Sequence, residues 1–470
     1  MKSIHKLYIV PLALSLLVSC KIGKNYTRPA TTLPENYRNG AAADSSSMAS
    51  LSAKEFFNDP ALQSLIDSAR IKNFDLLIAF KNIEAAGQTL KQAKVNFLPD
   101  LSAGVQANRN RPSNNSLNGI STSQFLGSKS VDDYNASLNL SWEIDIWGKL
   151  RRLKGQAFAE YLQSTEAAKV IRTQLSSSIA QGYYNLLMLD AQLKIAKKTL
   201  ALNDSTLNII RLQWDAGQVT ALGVQQAEAQ KQASQLLVPQ IEQGITVQEN
   251  ALSLLCGTLP ANIQRSKDIN EVRFTSMPAT GYPVALLQNR PDVRASEYAL
   301  RAANEKTGAA QASMYPSLTL TATGGLNSFK SSNWFNIPGS LFGTVAGGLA
   351  QPIFNRRQLK TQYELAKIER EKSVLQFRQS VLTAVTEVSD ALIKTQKLKE
   401  QVNIAQSRVK TLRLAIRNAG QLYSSGMATY LEVITAQGNL LQSELELADL
   451  QRQELFASVD LYKALGGGNL

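Results

Sequence analysis

Histidine is almost missing from this 470-residue chain: the only one is His5. Without it the chain has lost the commonest general base and metal ligand of protein chemistry. No phosphate-cradling GxxxxGK[ST] loop, CxxC pair or HExxH helix stands in its place, so neither an enzymatic centre nor a cofactor is expected. Cysteine occurs twice, as Cys20 and Cys256, which excludes a disulfide-stapled scaffold and makes Cys256 a small buried residue. No run of about 20 apolar residues follows the N-terminal segment, so a bundle of membrane helices is excluded. The hydrophobic fraction of 44% equally excludes a disordered chain. The net charge of +13 comes from Lys and Arg scattered along helical stretches. It reads as solvated helix faces, with no nucleic-acid partner.

Glycine and proline are both absent from Arg356 to Ala419. A helix over that stretch would be roughly 95 Å long at 1.5 Å per residue, far beyond an ordinary globular helix. Val402, Ala405, Val409, Leu412 and Ile416 recur at alternating steps of three and four, a coiled-coil seam. Val381, Val385, Val388 and Leu392 make a second seam, and the step from Leu392 to Leu398 predicts a break in register. The other faces are polar, so the helix needs partner helices.

Those partners come from an internal repeat. Asn73-Phe74-Asp75-Leu76 aligns with Arg290-Pro291-Asp292-Val293, and the same offset carries Phe97-Leu98-Pro99 onto Met314-Tyr315-Pro316. Trp142 and Ile146-Trp147 fall opposite Leu349 and Ile353-Phe354. Gly217, Thr220, Leu222, Val224 and Ala227 match Gly426, Thr429, Leu431, Val433 and Ala436. Each copy reads as a moderate helix (Pro60 to Phe97, Ala285 to Tyr315), two strands, a long helix (Lys149 to Trp214, Arg356 to Ala419), a glycine turn and a final helix. In the first long helix the seam is Leu186, Leu189, Leu193, Ala196, Leu200, Leu207, Ile210 and Trp214. The expected divisions are a signal segment 1–19, a linker 20–57, a first repeat 58–257, a connector 258–283 and a second repeat 284–468.

Tyr134, Ala136, Leu138, Leu140, Trp142 and Ile144 alternate with polar residues, as do Leu318, Leu320 and Ala322. Such strands have one dry and one wet face, fitting either a sheet on a soluble core or a transmembrane barrel. The Asn-, Ser- and Gly-rich loops Arg109 to Ser130 and Ser328 to Ser340 favour the barrel, as do Trp142, Trp147 and Trp334 near strand ends. Four strands cannot close in lipid, so several copies must pool theirs. At the N-terminus, Lys2 and Lys6 precede the apolar run Leu7 to Val18, a secretory signal. Its end, Leu17-Val18-Ser19-Cys20, resembles a bacterial lipobox, which makes Cys20 the expected lipid anchor.

The stretch RPDVRASEYALRAANEKTGAAQASMYPSL from Arg290, WEIDIWGKLRR from Trp142 and LYKALGGG from Leu461 resemble the TolC-like outer-membrane efflux proteins. FFNDPALQSLI from Phe56 and KNYTRPATTLP from Lys24 extend the likeness to the lipoprotein branch of that family. The resemblance implies a mainly α fold with a small β part: a long helical barrel plus four strands per chain. A homotrimer would then close a twelve-stranded barrel in outer-membrane lipid. It also implies a periplasmic adaptor and an inner-membrane pump of the resistance-nodulation-division type as partners. The glycine turns (Gly217, Thr220, Leu222 and Gly426, Thr429, Leu431) would form the adaptor-docking tip. Tyr423 and Glu432 match positions that hold the closed tip in relatives. Ala428, Thr435 and Gly223 depart from the charged residues of that pattern, so an electrostatic lock must be reduced or built differently. Competing readings are a conduit for peptide or protein secretion and a periplasmic coiled-coil scaffold without a channel.

Overall fold

A computed structural model gives the fold for residues 22–30, 33–34, 36–38, 51–272, 274 and 283–468; the signal segment and Cys20 lie outside these described residues. The first helices are α1 (Ala53–Phe56), α2 (Pro60–Lys72) and α3 (Phe74–Val95). Asp59 starts α2, its Oδ1 accepting the Ala61 and Leu62 N–H groups at 2.9 and 3.2 Å, with Pro60 in the first position where no donor is needed. One helix was expected from Pro60 to Phe97, but Asn73 interrupts it. Asn73 is extended, accepts the Leu76 N–H on Oδ1 at 3.1 Å and donates from Nδ2 to the Leu255 carbonyl at 2.9 Å. Its short side chain replaces the helical bonds that it breaks.

The second copy breaks at the matching place. The segment expected as one helix from Ala285 to Tyr315 is a 3₁₀ turn, α7 (Leu286–Asn289) and α8 (Pro291–Ala312). Pro291 pushes Arg290 out of the helical region, to φ −85° and ψ 117°. Between α3 and α7 the chain forms β1 (Asp100–Asn110), α4 (Leu117–Leu126), β2 (Val131–Ile144), α5 (Lys149–Asp215) and α6 (Ala221–Leu255). After α8 come β3 (Ser317–Ser328), β4 (Leu341–Ala350), α9 (Gln358–Ser424) and α10 (Tyr430–Ala464). The loop from Arg109 to Ser130 is therefore not bare, because α4, capped by the Ser116 hydroxyl, folds within it.

Both long helices have 67 residues, about 100 Å each at 1.5 Å per residue. The second runs past the expected end at Ala419, through Gly420, to Ser424, since the left-handed turn is made later, by Gly426. Its buried stripe is Phe377, Val381, Ala384, Val388, Ala391, Thr395, Leu398, Val402, Ala405 and Val409. From Val381 onward the steps alternate three and four without interruption, so the break expected between Leu392 and Leu398 is absent. Ala391 and Thr395 fill those positions, and the Thr395 hydroxyl donates to the Ala391 carbonyl at 2.8 Å, which lets it be buried. The irregular step, two fours in succession, falls instead at Ser373, Phe377 and Val381. Cys256 is buried and free, as expected.

The chain divides into two compact units. Described residues 22–29, 84–162 and 298–375 form the first. Its centre is one antiparallel sheet in the order β1-β2-β3-β4. The registers align the alternating residues across all four strands: Leu101 with Leu140, Leu140 with Ala322 and Ala322 with Val345, for example. One row over, Ser102, Asn139, Thr323 and Thr344 line up on the opposite face. One face is thus apolar and open along most of its length, with Leu101, Val105, Leu138, Leu341, Val345 and Leu349 all more than half exposed, and the Arg109–Asp132 ion pair lies at the end away from the long helices. At the helix end of the sheet, Trp142 Nε1 donates to the Phe97 carbonyl at 2.8 Å and Trp147 Nε1 to the Pro316 carbonyl at 2.7 Å. Among the described residues no helix is long and apolar enough to cross a membrane.

The second unit holds the rest. A buried carboxylate there, Asp59, ties segments far apart in sequence: Tyr183 donates to its Oδ2 at 3.1 Å, and Ser266 donates to its Oδ1 at 2.5 Å. Arg290, 7% exposed, pairs with Asp292 and with Glu387, both at 2.6 Å, and donates to the Ala464 carbonyl at 3.1 Å. This one guanidinium joins the start of α8, the middle of α9 and the end of α10.

Candidate functional site

The two glycine turns repeat one geometry. At the end of α5 the Gly217 N–H reaches the Trp214 carbonyl at 2.9 Å and the Gln218 N–H the Gln213 carbonyl at 2.8 Å. At the end of α9, Gly426 and Met427 bond Tyr423 and Leu422 in the same pattern, at 3.0 and 2.9 Å. With φ of +72° and +74°, both glycines occupy the left-handed region, and the paired bonds are those of a Schellman cap. The next helix then begins at Thr220 or Thr429, each extended and one residue before the helix.

The copies differ in how that next helix is capped. In the first, the Thr220 hydroxyl oxygen accepts the Gly223 N–H at 3.4 Å. In the second, Glu432 folds back so that its Oε2 accepts the Thr429 N–H at 2.6 Å. Gly223, at the position matching Glu432, cannot do this. The Glu432 carboxylate is therefore engaged with its own helix N-terminus, where a negative charge is favoured.

Tyr423 reaches across to the other copy. Its hydroxyl donates to Gln213 Oε1 at the end of α5, and its ring lies 6.0 Å from that of Tyr430. Beneath it Leu207, Ile210, Ala227, Tyr430 and Val433 form a buried cluster, with Val219, Val224, Ala419 and Ile434 packed against it. Burial raises Tyr423 above the ordinary phenol value, eased by the bond to Gln213, and pushes Tyr430 up to about 12. Both stay neutral at physiological pH. Ion pairs brace the helices behind the turns: Asp204 with Lys231 at 2.6 Å in the first copy, Arg413 with Glu444 at 2.7 Å in the second. Asp204 and Arg413 are 209 residues apart, the offset of the repeat here, so this position carries opposite charge in the two copies.

The structure thus brings Tyr423, Gly217 and Gly426 into one locality and leaves Leu222, Leu431 and Met427 more than half exposed on it. Ala428 is only partly covered, and Thr435 spends its hydroxyl on the Leu431 carbonyl at 2.7 Å. Trp214, expected in the seam of α5, is half exposed, and its neighbour Gln213 faces Tyr423 instead. Gln213 and Tyr430 were not legible as site residues. A glutamine before a tryptophan carries no signal, and Tyr430 reads as an ordinary first helical residue. Among the described residues no group of three or more His, Cys, Asp or Glu could hold a metal ion.

The sequence profile of the outer membrane efflux protein family matches residues 65–258 and again 282–467. The chain is 32% identical over 467 residues to the solvent efflux pump outer membrane protein SrpC of Pseudomonas putida, covering 97% of each. It is 28% identical over 471 residues to the cation efflux system protein CusC of Escherichia coli, covering 98% of each. Among solved structures, the open state of the Neisseria gonorrhoeae MtrE outer membrane channel superposes with a TM-score of 0.85 at 25% identity, covering 96% of this chain and 98% of that one.

Proposed function

We propose that this chain, which belongs to the outer membrane efflux protein family, is the outer-membrane channel of a tripartite efflux system and works as a homotrimer. The observation that carries this reading is the sheet. It has one apolar and one polar face, and its edge strands β1 and β4 each pair on one side only. In lipid such edges would leave a row of unpaired backbone groups, each costing several kcal/mol, so the sheet has to continue into another copy. Three chains give twelve strands, dry outside and wet inside.

The helices make the same demand. Ile368, Leu375 and Leu382 on α9 recur every seven residues and are each about 60% exposed in the single chain. A second apolar line at coiled-coil spacing calls for helices from neighbouring copies. The two turns, with exposed Leu222, Met427 and Leu431, suit a periplasmic adaptor's helical hairpin. An inner-membrane pump of the resistance-nodulation-division type would then deliver substrate. The names of SrpC and CusC refer to a solvent and a cation pump. With six methionines and one histidine in all, this chain has no soft-metal tract, and small organic compounds are the better-supported cargo.

Acylation of Cys20 would anchor each chain in the outer membrane. The test of the whole reading is complementation. Expressed in a host lacking its own outer-membrane channel, together with a cognate adaptor and pump, the protein should restore resistance to organic toxicants. Unchanged susceptibility with properly inserted protein would overturn it.

A further inference from the structure

The first unit holds a polar cavity of about 350 Å³ that neither the sheet nor the turns explain. It is walled by the N-terminal segment at Gly23 and Lys24, by Asn304, Thr307, Gly308 and Gln311 of α8, and by Tyr363, Lys367 and Arg370 of α9. Three cationic side chains meet there. Lys367 pairs with Glu364 at 3.1 Å, whereas Lys24 and Arg370 make no ion pair among the described residues. Asn304, Thr307, Gln311 and Tyr363 add neutral hydrogen-bonding groups. The wall contributed by the N-terminal segment is fixed in place. Arg152, 2% exposed on its side chain, donates to the Ile22 and Gly23 carbonyls at 3.1 and 2.8 Å and pairs with Glu305 at 3.0 Å. Asn304 Nδ2 holds the Lys24 carbonyl at 3.2 Å. Gly23, at φ +87°, lies so close to α8 that a Cβ there would stand 3.0 Å from the Gly308 Cα.

Position supplies the ligand class. Tyr315 and Trp147, with ring centroids 5.2 Å apart, mark the helix end of the sheet where interfacial aromatics belong. Gln311 and Thr307 lie four and eight residues before Tyr315, about 6 and 12 Å away along the axis of α8. Gln311 is thus at headgroup depth, since the polar layers add roughly 5–8 Å on each side of the hydrocarbon, and Thr307 lies just beneath it. In the sequence Cys20 is three residues before Gly23, at most about 11 Å of chain.

We propose that this cavity binds the phosphate headgroup of an anionic phospholipid in the leaflet that faces the helices. The proposal rests on the reading of the sheet as membrane-spanning. Lys24, Lys367 and Arg370 supply the positive charge for the phosphate, and Asn304 and Gln311 supply amide groups for the headgroup's polar atoms. The Arg152 clamp presents Lys24, so the lipid anchor and the bound headgroup would be read by one rigid wall.

The test uses the full-length protein purified in detergent, exchanged into equimolar phosphatidylglycerol and phosphatidylcholine of matched chains. Retained lipid is counted by native mass spectrometry. The wild type should retain phosphatidylglycerol about tenfold over phosphatidylcholine, as cationic side chains near an anionic headgroup favour it. The triple variant Lys24→Gln, Lys367→Gln, Arg370→Gln should lose that preference. Arg370→Gln alone, which breaks no ion pair, should lower it while leaving thermal stability unchanged. An unchanged preference in the triple variant overturns the proposal. Displacement of the lipid by millimolar inorganic phosphate also overturns it, making the cavity a free-phosphate site. Planar-bilayer conductance of the same preparations keeps the two readings apart. Conductance without lipid preference contradicts only this site, and lipid preference without conductance contradicts only the channel.

Discussion

Tyr423 donates its hydroxyl proton to Gln213, and that bond joins the last turn of α9 to the last turn of α5. Removing the hydroxyl in Tyr423→Phe should cost about 1 kcal/mol per chain, roughly a fivefold shortening of closed dwell times in single-channel records. Unchanged dwell times would mean that the bond has no part in closure. Glu432→Ala should act differently. It removes a helix cap worth about 1 kcal/mol and frays the start of α10, so the loss should appear as faster amide exchange there. Because Tyr423 and Tyr430 are raised by burial, their neutral forms persist in the folded chain. Their contribution is complete below the ordinary phenol value near 10 and is lost only as pH rises through the higher folded values. Closed dwell times should therefore be flat from pH 6 to 9. Arg290 braces three helices of the second unit. Burial pushes Asp292 up, but the Arg290 bonds outweigh it and hold this carboxyl below its ordinary range. The pair's stabilisation is full above the ordinary value near 4 and is lost as pH falls through the lower folded value. Arg290→Ala should destabilise by about 1–3 kcal/mol, since it removes a buried guanidinium and its bonds while its partners Asp292 and Glu387 still reach water. A thermal midpoint matching the wild type would contradict that role.

At the scale of elements, the long helices were legible because seam residues recur at helical spacing and no glycine or proline intervenes. The breaks at Asn73 and Arg290 were not, since periodicity continues across both and only the side-chain bonds of Asn73 and the ring of Pro291 impose them. The expected break in the α9 seam failed for a related reason. Leu392 carries the stronger apolar signal, whereas small Ala391 and hydroxyl-bearing Thr395 carry little and yet fill the buried positions before Leu398. The glycine turns are legible from the repeat alone, but the partner of Tyr423 lies 210 residues away and no local pattern points to it. Gly426→Ala tests the turn as an element. Forcing a Cβ into the left-handed region costs roughly 1–2 kcal/mol. Adaptor affinity should therefore fall several-fold, with the helices otherwise intact. Binding equal to the wild type would remove the turn from the docking surface.

In the proposed trimer a single chain is incomplete. The edges of β1 and β4 and the exposed line Ile368, Leu375 and Leu382 are the surfaces that other copies would cover. Leu375→Asp should leave secondary structure unchanged by circular dichroism but yield monomer rather than trimer in detergent. A stable trimer would contradict helix pairing along that line. The most direct measurement of the central claim is planar-bilayer recording from the purified protein, wild type beside Tyr423→Phe. The account predicts discrete conductance steps in both, with open events more frequent in the variant. Membranes that stay at baseline with both proteins, after verified insertion, would contradict it.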